Sequence, residues 1–252
     1  MSQITPRPNA TTIDVSRESR PQRREQGDGR RGDTGFGLVR ALIRTAAGDE
    51  KHDPSAQSIL DIVWVLYDRI LRFDQLAPRS EDRDRFILSK GHGPIALYAV
   101  LAAKGFFPVD ELKRFMTWDG ILGGHPDRGR VPGIEASTGS LGHGFPMAVG
   151  VALALKAKRS DRRVFVLIGD GESNEGSVWE TVLLAGSLEL PHLTCIFVNN
   201  HSSTRPLGDV AAKFTAFGWA ATTVDGRAHD ALEGALRQAD ARRPSVVVAD
   251  IS

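Results

Sequence analysis

The regular alternation in the second half of the chain constrains the fold more than any other feature. Strand candidates at 163–168, 193–199, 219–224 and 245–250 are separated by helix candidates at 145–158, 176–189, 209–217 and 228–241. Runs such as Val164-Phe-Val-Leu-Ile168 and Val246-Val-Val-Ala249 carry no polar side chain, so such strands need apolar cover on both faces. Wholly apolar strands spaced by helices predict an α/β fold, a mostly parallel sheet with helices on both faces.

The first half fits the same class. Leu38, Leu42 and Ile43, then Ile59, Ile62, Val63, Leu66 and Ile70, recur at helical spacing and predict two amphipathic helices, the first ending near Gly48. Arg85-Phe-Ile-Leu-Ser89 reads as a short strand. Gly91-His-Gly-Pro94 then turns the chain into a helix from Ile95 to Lys104, with the proline at its first position. A Gly- and Pro-rich stretch from about Trp118 to Gly144 is long and irregular, and such segments inside a compact domain tend to be functional. Residues 1–34 combine Pro6, Pro8 and Pro21 with many arginines and almost no large apolar side chains, which predicts a disordered tail ahead of one domain over 35–252.

With 32 basic and 31 acidic residues, the formal charge of +1 gives no overall footprint for nucleic acid or an anionic membrane. The apolar runs are far shorter than the roughly 20 residues of a membrane-spanning helix. Neither Arg23-Arg24 nor Arg30-Arg31 is followed by an apolar segment, so no export signal is recognised and a cytoplasmic location is expected. Cys195, the one cysteine, lies in Leu193-Thr-Cys-Ile-Phe-Val198 and reads as a buried thiol in a reducing compartment rather than a nucleophile.

The chemistry concentrates where strands end. Val164–Ile168 runs into Gly169-Asp-Gly-Glu-Ser-Asn-Glu-Gly176, and glycines around an aspartate there let backbone approach a ligand while the carboxylate points into the crevice. Alone, Gly-Asp-Gly is also a common turn. The next strand ends at Val198-Asn-Asn200, one crossover later, which makes the two strands neighbours or near neighbours. Asp170, the Asn200 amide and a main-chain carbonyl just beyond are hard oxygen donors suited to Mg²⁺ or Ca²⁺ completed by phosphate oxygens. Ser137-Thr-Gly-Ser-Leu-Gly-His-Gly144 precedes a helix and either receives an anion on its amides or merely caps that helix. His52, His92 and His125 each stand beside glycine or proline in turn-like contexts, without the spacing of zinc ligands; together they suggest a substrate channel, with His143 a weaker fourth.

In order and in combination, Ser89-Lys-Gly-His-Gly-Pro94, Gly124-His-Pro126, Ser137-Thr-Gly-Ser-Leu-Gly142, Gly169 to Gly176 with Val178-Trp-Glu180, Asn200, Phe214 to Gly218 and Val224-Asp-Gly226 make residues from about Gly35 onward resemble the N-terminal, diphosphate-binding (PP) domain of transketolase. The likeness is strongest to the smaller subunit of split, two-chain transketolases. It implies a thiamine diphosphate-binding fold, and thiamine diphosphate held through a divalent cation, Mg²⁺ or Ca²⁺. On that resemblance Asp170, Asn200 and the main-chain oxygen of Ser202 are metal ligands. His92, Gly139, Ser140, Leu141, Gly169, Gly171, Glu172 and Asn200 border the cofactor. His52, His92 and His125 act on the substrate, and Glu175 is a buried acid at a subunit interface. The implied activity is a transferase reaction that moves a two-carbon ketol unit from a ketose or ketose phosphate to an aldehyde.

Departures from the family pattern also carry expectations. After the metal asparagine the family usually reads Asn-Gly-Leu-Gln-Ile-Asp-Gly; here it is Asn200-His-Ser-Ser-Thr-Arg205, which loses apolar residues beside the thiazole ring. Lys51-His-Asp-Pro-Ser55 replaces a glycine-rich entrance, and Ala249-Asp-Ile-Ser252 comes before the family's Lys-Gly-Lys-Gly segment and further histidine. No second half resembles the pyrimidine-binding domain, so the expected partner is a C-terminal transketolase subunit in an α2β2 assembly. Two other readings stand beside this one: a component of a 2-oxo acid dehydrogenase or deoxyxylulose phosphate synthase type of enzyme, and a catalytically silent PP-domain subunit with a regulatory role.

Overall fold

The computed structural model describes residues 34–46, 53–238 and 240–251. The expected tail therefore lies outside the described residues except for Thr34, which opens the first helix, and His52 lies outside them too. Five strands, β1 (Arg85–Leu88), β2 (Val164–Gly169), β3 (Leu193–Asn199), β4 (Ala220–Asp225) and β5 (Ser245–Asp250), form one sheet in the order β1-β2-β3-β5-β4. Every pairing is parallel. The helices are α1 (Thr34–Thr45), α2 (Asp53–Gln57), α3 (Leu60–Val65), α4 (Pro94–Ala103), α5 (Gly144–Ala157), α6 (Gly176–Ser187), α7 (Val210–Ala216) and α8 (His229–Arg237).

Strand geometry sends alternate side chains to opposite faces, and two separate cores result. Phe165, Leu167, Ile196, Val198, Val247 and Ala249 join Val39 and Leu42 of α1, the α3 and α4 side chains, and Leu232 and Leu236 of α8. Val164, Val166, Ile168, Cys195, Phe197, Val246 and Val248 join Phe145 and Ala148 of α5, Val178 and Val182 of α6, and Phe214 of α7. This double cover is what the apolar runs required. Burial pushes the Cys195 thiol well above its ordinary pKa, with the charge of Glu172 adding to the effect, so it is a core thiol.

Three elements differ from the sequence pattern. Strand β4 is not wholly apolar: as an edge strand it leaves Thr222 and Thr223 exposed. The second helix is not amphipathic, because every residue of α3 is buried, and it continues as a π-helical turn over Leu66–Ile70. That turn closes through a bond from the Leu71 N–H to the Leu66 carbonyl at 2.8 Å. A 3₁₀ turn, Val109–Arg114, lies ahead of the irregular stretch.

Candidate functional site

Parallel register sets the site. Gly169 of β2 is opposite Val198 of β3, so both strands finish level and release Asp170 and Asn200 side by side at their carboxyl ends. The Asp170 N–H closes the arrangement by donating to the Val198 carbonyl at 3.0 Å. Asp170 is wholly buried, and among the described residues no lysine or arginine forms an ion pair with it. Its charge is met by hydrogen-bond donors instead. Oδ1 accepts from the Gly171 N–H at 2.6 Å and the Ser202 hydroxyl at 2.7 Å; Oδ2 accepts from the N–H groups of Ser202 at 2.6 Å and Ser203 at 3.2 Å. The Ser202 hydroxyl also lies 3.1 Å from the Asn200 amide oxygen.

Asp170, Asn200 and Ser202 therefore share one locus, reached through the Ser202 hydroxyl and N–H. The donor set fits a hard divalent cation: one buried carboxylate with neutral amide, hydroxyl and main-chain oxygens. Among the described residues no group of three or more His, Cys, Asp or Glu side chains forms a site of its own. A cation held here must take the rest of its shell from the ligand.

The Gly-rich loop lies beside this locus. Gly139 has φ +135°, and a Cβ there would stand 2.6 Å from Cδ2 of His125. The approach is close on the other side as well, since a Cβ on Gly91 would stand 2.6 Å from the Gly139 nitrogen. Thr138 anchors the loop by donating its hydroxyl to the Leu88 carbonyl at 2.7 Å, at the end of β1. Ser140 and Leu141 follow on the surface side, with the Ser140 hydroxyl 3.2 Å from Nδ1 of His143. His92 and His125 meet edge to face with ring centres 5.1 Å apart, and the Tyr98 hydroxyl donates to the His125 carbonyl at 2.7 Å. The structure thus brings His92, His125 and Gly139 into one cluster.

Two acidic residues are placed otherwise than the sequence reading had them. Glu172 does not face a ligand: it is buried, and its Oε1 accepts from the Ser89 hydroxyl at 2.5 Å and the Gly142 N–H at 2.9 Å. Its Oε2 accepts from the Gly169 N–H at 3.3 Å, so the carboxylate ties the ends of β1 and β2 to the Gly-rich loop. Burial raises its pKa against the opposing pull of those bonds and of Lys90. Glu175, expected to be buried, is exposed on this chain because it caps α6 from outside and makes no capping bond. Among the described residues nothing covers Glu175.

Sequence reasoning assigned no role to Lys90, Ser58 or Ser203. Lys90 is buried with its stem against Gly169, and its Nζ donates to the Ser58 hydroxyl at 2.9 Å. Burial lowers its pKa, while Asp170 and Glu172 act in the opposite direction. Its place inside Ser89-Lys-Gly-His was the available signal.

Residues 39–251 match the transketolase thiamine diphosphate-binding domain. The chain belongs to the transketolase family. The 6-deoxy-6-sulfo-D-fructose transketolase subunit SqwG of Clostridium sp. (strain MSTE9) is 38% identical to this transketolase-family chain over 206 residues, covering 78% of this chain and 75% of that subunit. A Rhodococcoides fascians protein named Ferredoxin fas2 is 46% identical over 215 residues, covering 84% of this chain and 70% of that protein. Among solved structures, the transketolase from Leishmania mexicana superposes with a TM-score of 0.75 at 28% identity, covering 85% of this chain and 35% of that one. The fold is the thiamine diphosphate-binding α/β fold of transketolase, as its motifs implied.

Proposed function

We propose that this chain is the N-terminal subunit of a two-chain, thiamine diphosphate-dependent transketolase that moves a two-carbon ketol unit from a ketose or ketose phosphate to an aldehyde acceptor. The observation that carries the reading is the buried Asp170 carboxylate at the end of β2, which forms no ion pair among the described residues and is flanked by Asn200 and Ser202. When bound, thiamine diphosphate supplies the nucleophile and electron sink for breaking and making the C–C bond.

This chain's residues bind and orient. Asp170, Asn200 and Ser202 hold Mg²⁺ or Ca²⁺ against the diphosphate, and His92, Gly169, Gly171 and the backbone of Gly139, Ser140 and Leu141 border the cofactor. Glu172 contributes by fixing the Gly-rich loop rather than by contact. His52, His92 and His125 hydrogen-bond the sugar hydroxyls and stabilise negative charge on the substrate oxygen. Exposed Glu175 belongs to a subunit interface. A C-terminal partner subunit supplies the pyrimidine-binding half in an α2β2 assembly, located in the cytoplasm and without nucleic-acid or membrane partners. The relative named as a transketolase subunit supports this arrangement. Among the described residues no helix is long and apolar enough to cross a membrane.

The test is to co-express this chain with its partner and assay hydroxypyruvate against pyruvate as donor, with aldehyde acceptors. Ketol transfer from hydroxypyruvate, dependent on thiamine diphosphate and Mg²⁺, is the expected result. Turnover of pyruvate alone, or a stable complex with no transfer, would overturn the reading.

A further inference from the structure

At the other end of the sheet, before β1 begins, lies a cavity. Its volume is about 450 Å³, within the range of small-molecule sites. Two loops form it, 77–83 and 128–134, and they bring four arginines to its wall: Arg79, Arg83, Arg128 and Arg130. Buried Val131 and Ile134 anchor the second loop. A Cβ on Gly133 would stand 2.7 Å from the Phe106 ring, so the backbone is pressed onto the core there. Asp127 fixes the other side by accepting from the Gly129 N–H at 2.7 Å, and the Arg128 N–H donates to the Ser137 hydroxyl at 3.0 Å.

The positive charge is poorly compensated. Arg83 pairs with Glu135 at 2.5 Å, yet its Nε is buried without an acceptor. The side chains of Arg79 and Arg128 have no hydrogen-bond or ion-pair partner among the described residues. Among the described residues the Arg130 side chain donates only to the Gly120 carbonyl. Of the carboxylates close by in sequence, Glu81 pairs with Lys158, Asp82 with Arg162 and Asp84 with Arg72 and Arg163, which leaves Asp127, held by the Gly129 N–H. Four arginines, with no carboxylate among the lining residues, make a wall that matches the planar, multidentate bonding of phosphate oxygens.

We propose that this cavity binds a soluble anion of the phosphate-ester or diphosphate class carrying two or more negative charges, at a site separate from the one around Asp170. The test is calorimetric titration of the full chain with inorganic diphosphate in the presence of a chelator, which removes the cation from the Asp170 locus. The expected result is one bound diphosphate, with affinity at least tenfold weaker in the Arg79→Gln/Arg128→Gln double variant and unchanged in Asp170→Asn. Both arginines are exposed, and thermal melts that match the wild type establish that the double variant is folded. The proposal is overturned if the wild type takes up no diphosphate, if the double variant binds as the wild type does, if Asp170→Asn alone abolishes uptake, or if sulfate binds equally well.

Discussion

Replacing Glu172 tests how the Gly-rich loop is held against the strand ends. The carboxylate accepts three hydrogen bonds, two on Oε1 and one on Oε2, from donors that have no water to turn to. In Glu172→Gln the amide oxygen can keep the Ser89 and Gly142 bonds, but the amide NH2 then confronts the Gly169 N–H. One orphaned buried donor costs about 1–3 kcal/mol, partly offset by removal of a buried charge, so the net loss is about 1–2 kcal/mol. In Glu172→Ala all three donors are orphaned and a cavity is added, for about 3–5 kcal/mol. The pH dependence gives an independent readout. Because burial raises the pKa in the fold, the folded state binds more protons than the unfolded one above the ordinary carboxylate pKa. The contribution of Glu172 to stability is thus full below that range and falls as pH rises through the raised value. Glutamine does not titrate there. Urea denaturation followed by far-ultraviolet circular dichroism, stepped from pH 4 to 8, should show the advantage of wild type over Glu172→Gln shrinking as pH rises. A difference constant with pH, or a loss below about 1 kcal/mol in Glu172→Ala, would refute the reasoning.

Three further outcomes follow from the same geometry. Gly139→Ala places a methyl group on the His125 ring at a positive φ, at a cost of about 1–3 kcal/mol of strain; thiamine diphosphate affinity of the assembled enzyme, read by calorimetry, should fall about tenfold or more. The Asp84 carboxylate is wholly buried, and although burial alone pushes its pKa up, bonds from Arg72 and Arg163 bring it below the ordinary range. Its contribution is therefore present above the ordinary carboxylate pKa and lost as pH falls through the lowered value; thermal melts should show Asp84→Ala costing about 3 kcal/mol at pH 7 and less in acid. Cys195 should react with a thiol-specific dye only at the rate of unfolding, because its thiol is buried and protonated.

Much of this architecture can be read from local pattern. The run from Val164 to Ile168 has no polar residue and ends on Gly169-Asp170, and one crossover later the run from Leu193 ends on Asn199-Asn200; two apolar strands and a helix are enough to put Asp170 and Asn200 together. The Gly139 loop is visible for a similar reason, since its glycines are needed where backbone meets backbone and the His125 ring. What local pattern does not carry is orientation fixed by distant partners. Glu172 turns inward because Ser89, 83 residues away, and Gly142, 30 residues away, converge on it. The spacing of Ile59 to Ile70 suggests one solvent-facing side, but α1, α4 and α8 pack around α3 and bury all of it. Edge position decides the polarity of β4, and edge position is a property of strand order.

The central claim is that Asp170, with Asn200 and Ser202, holds a cation and the diphosphate of thiamine diphosphate in an assembly with a partner subunit. Its most direct measurement is calorimetric titration of thiamine diphosphate with Mg²⁺ into the co-purified complex, for wild type and Asp170→Asn. The account predicts one thiamine diphosphate bound per copy of this chain, and loss of that binding in Asp170→Asn with the complex still intact. Binding that survives the substitution unchanged, or an intact wild-type complex that takes up no thiamine diphosphate, would contradict it.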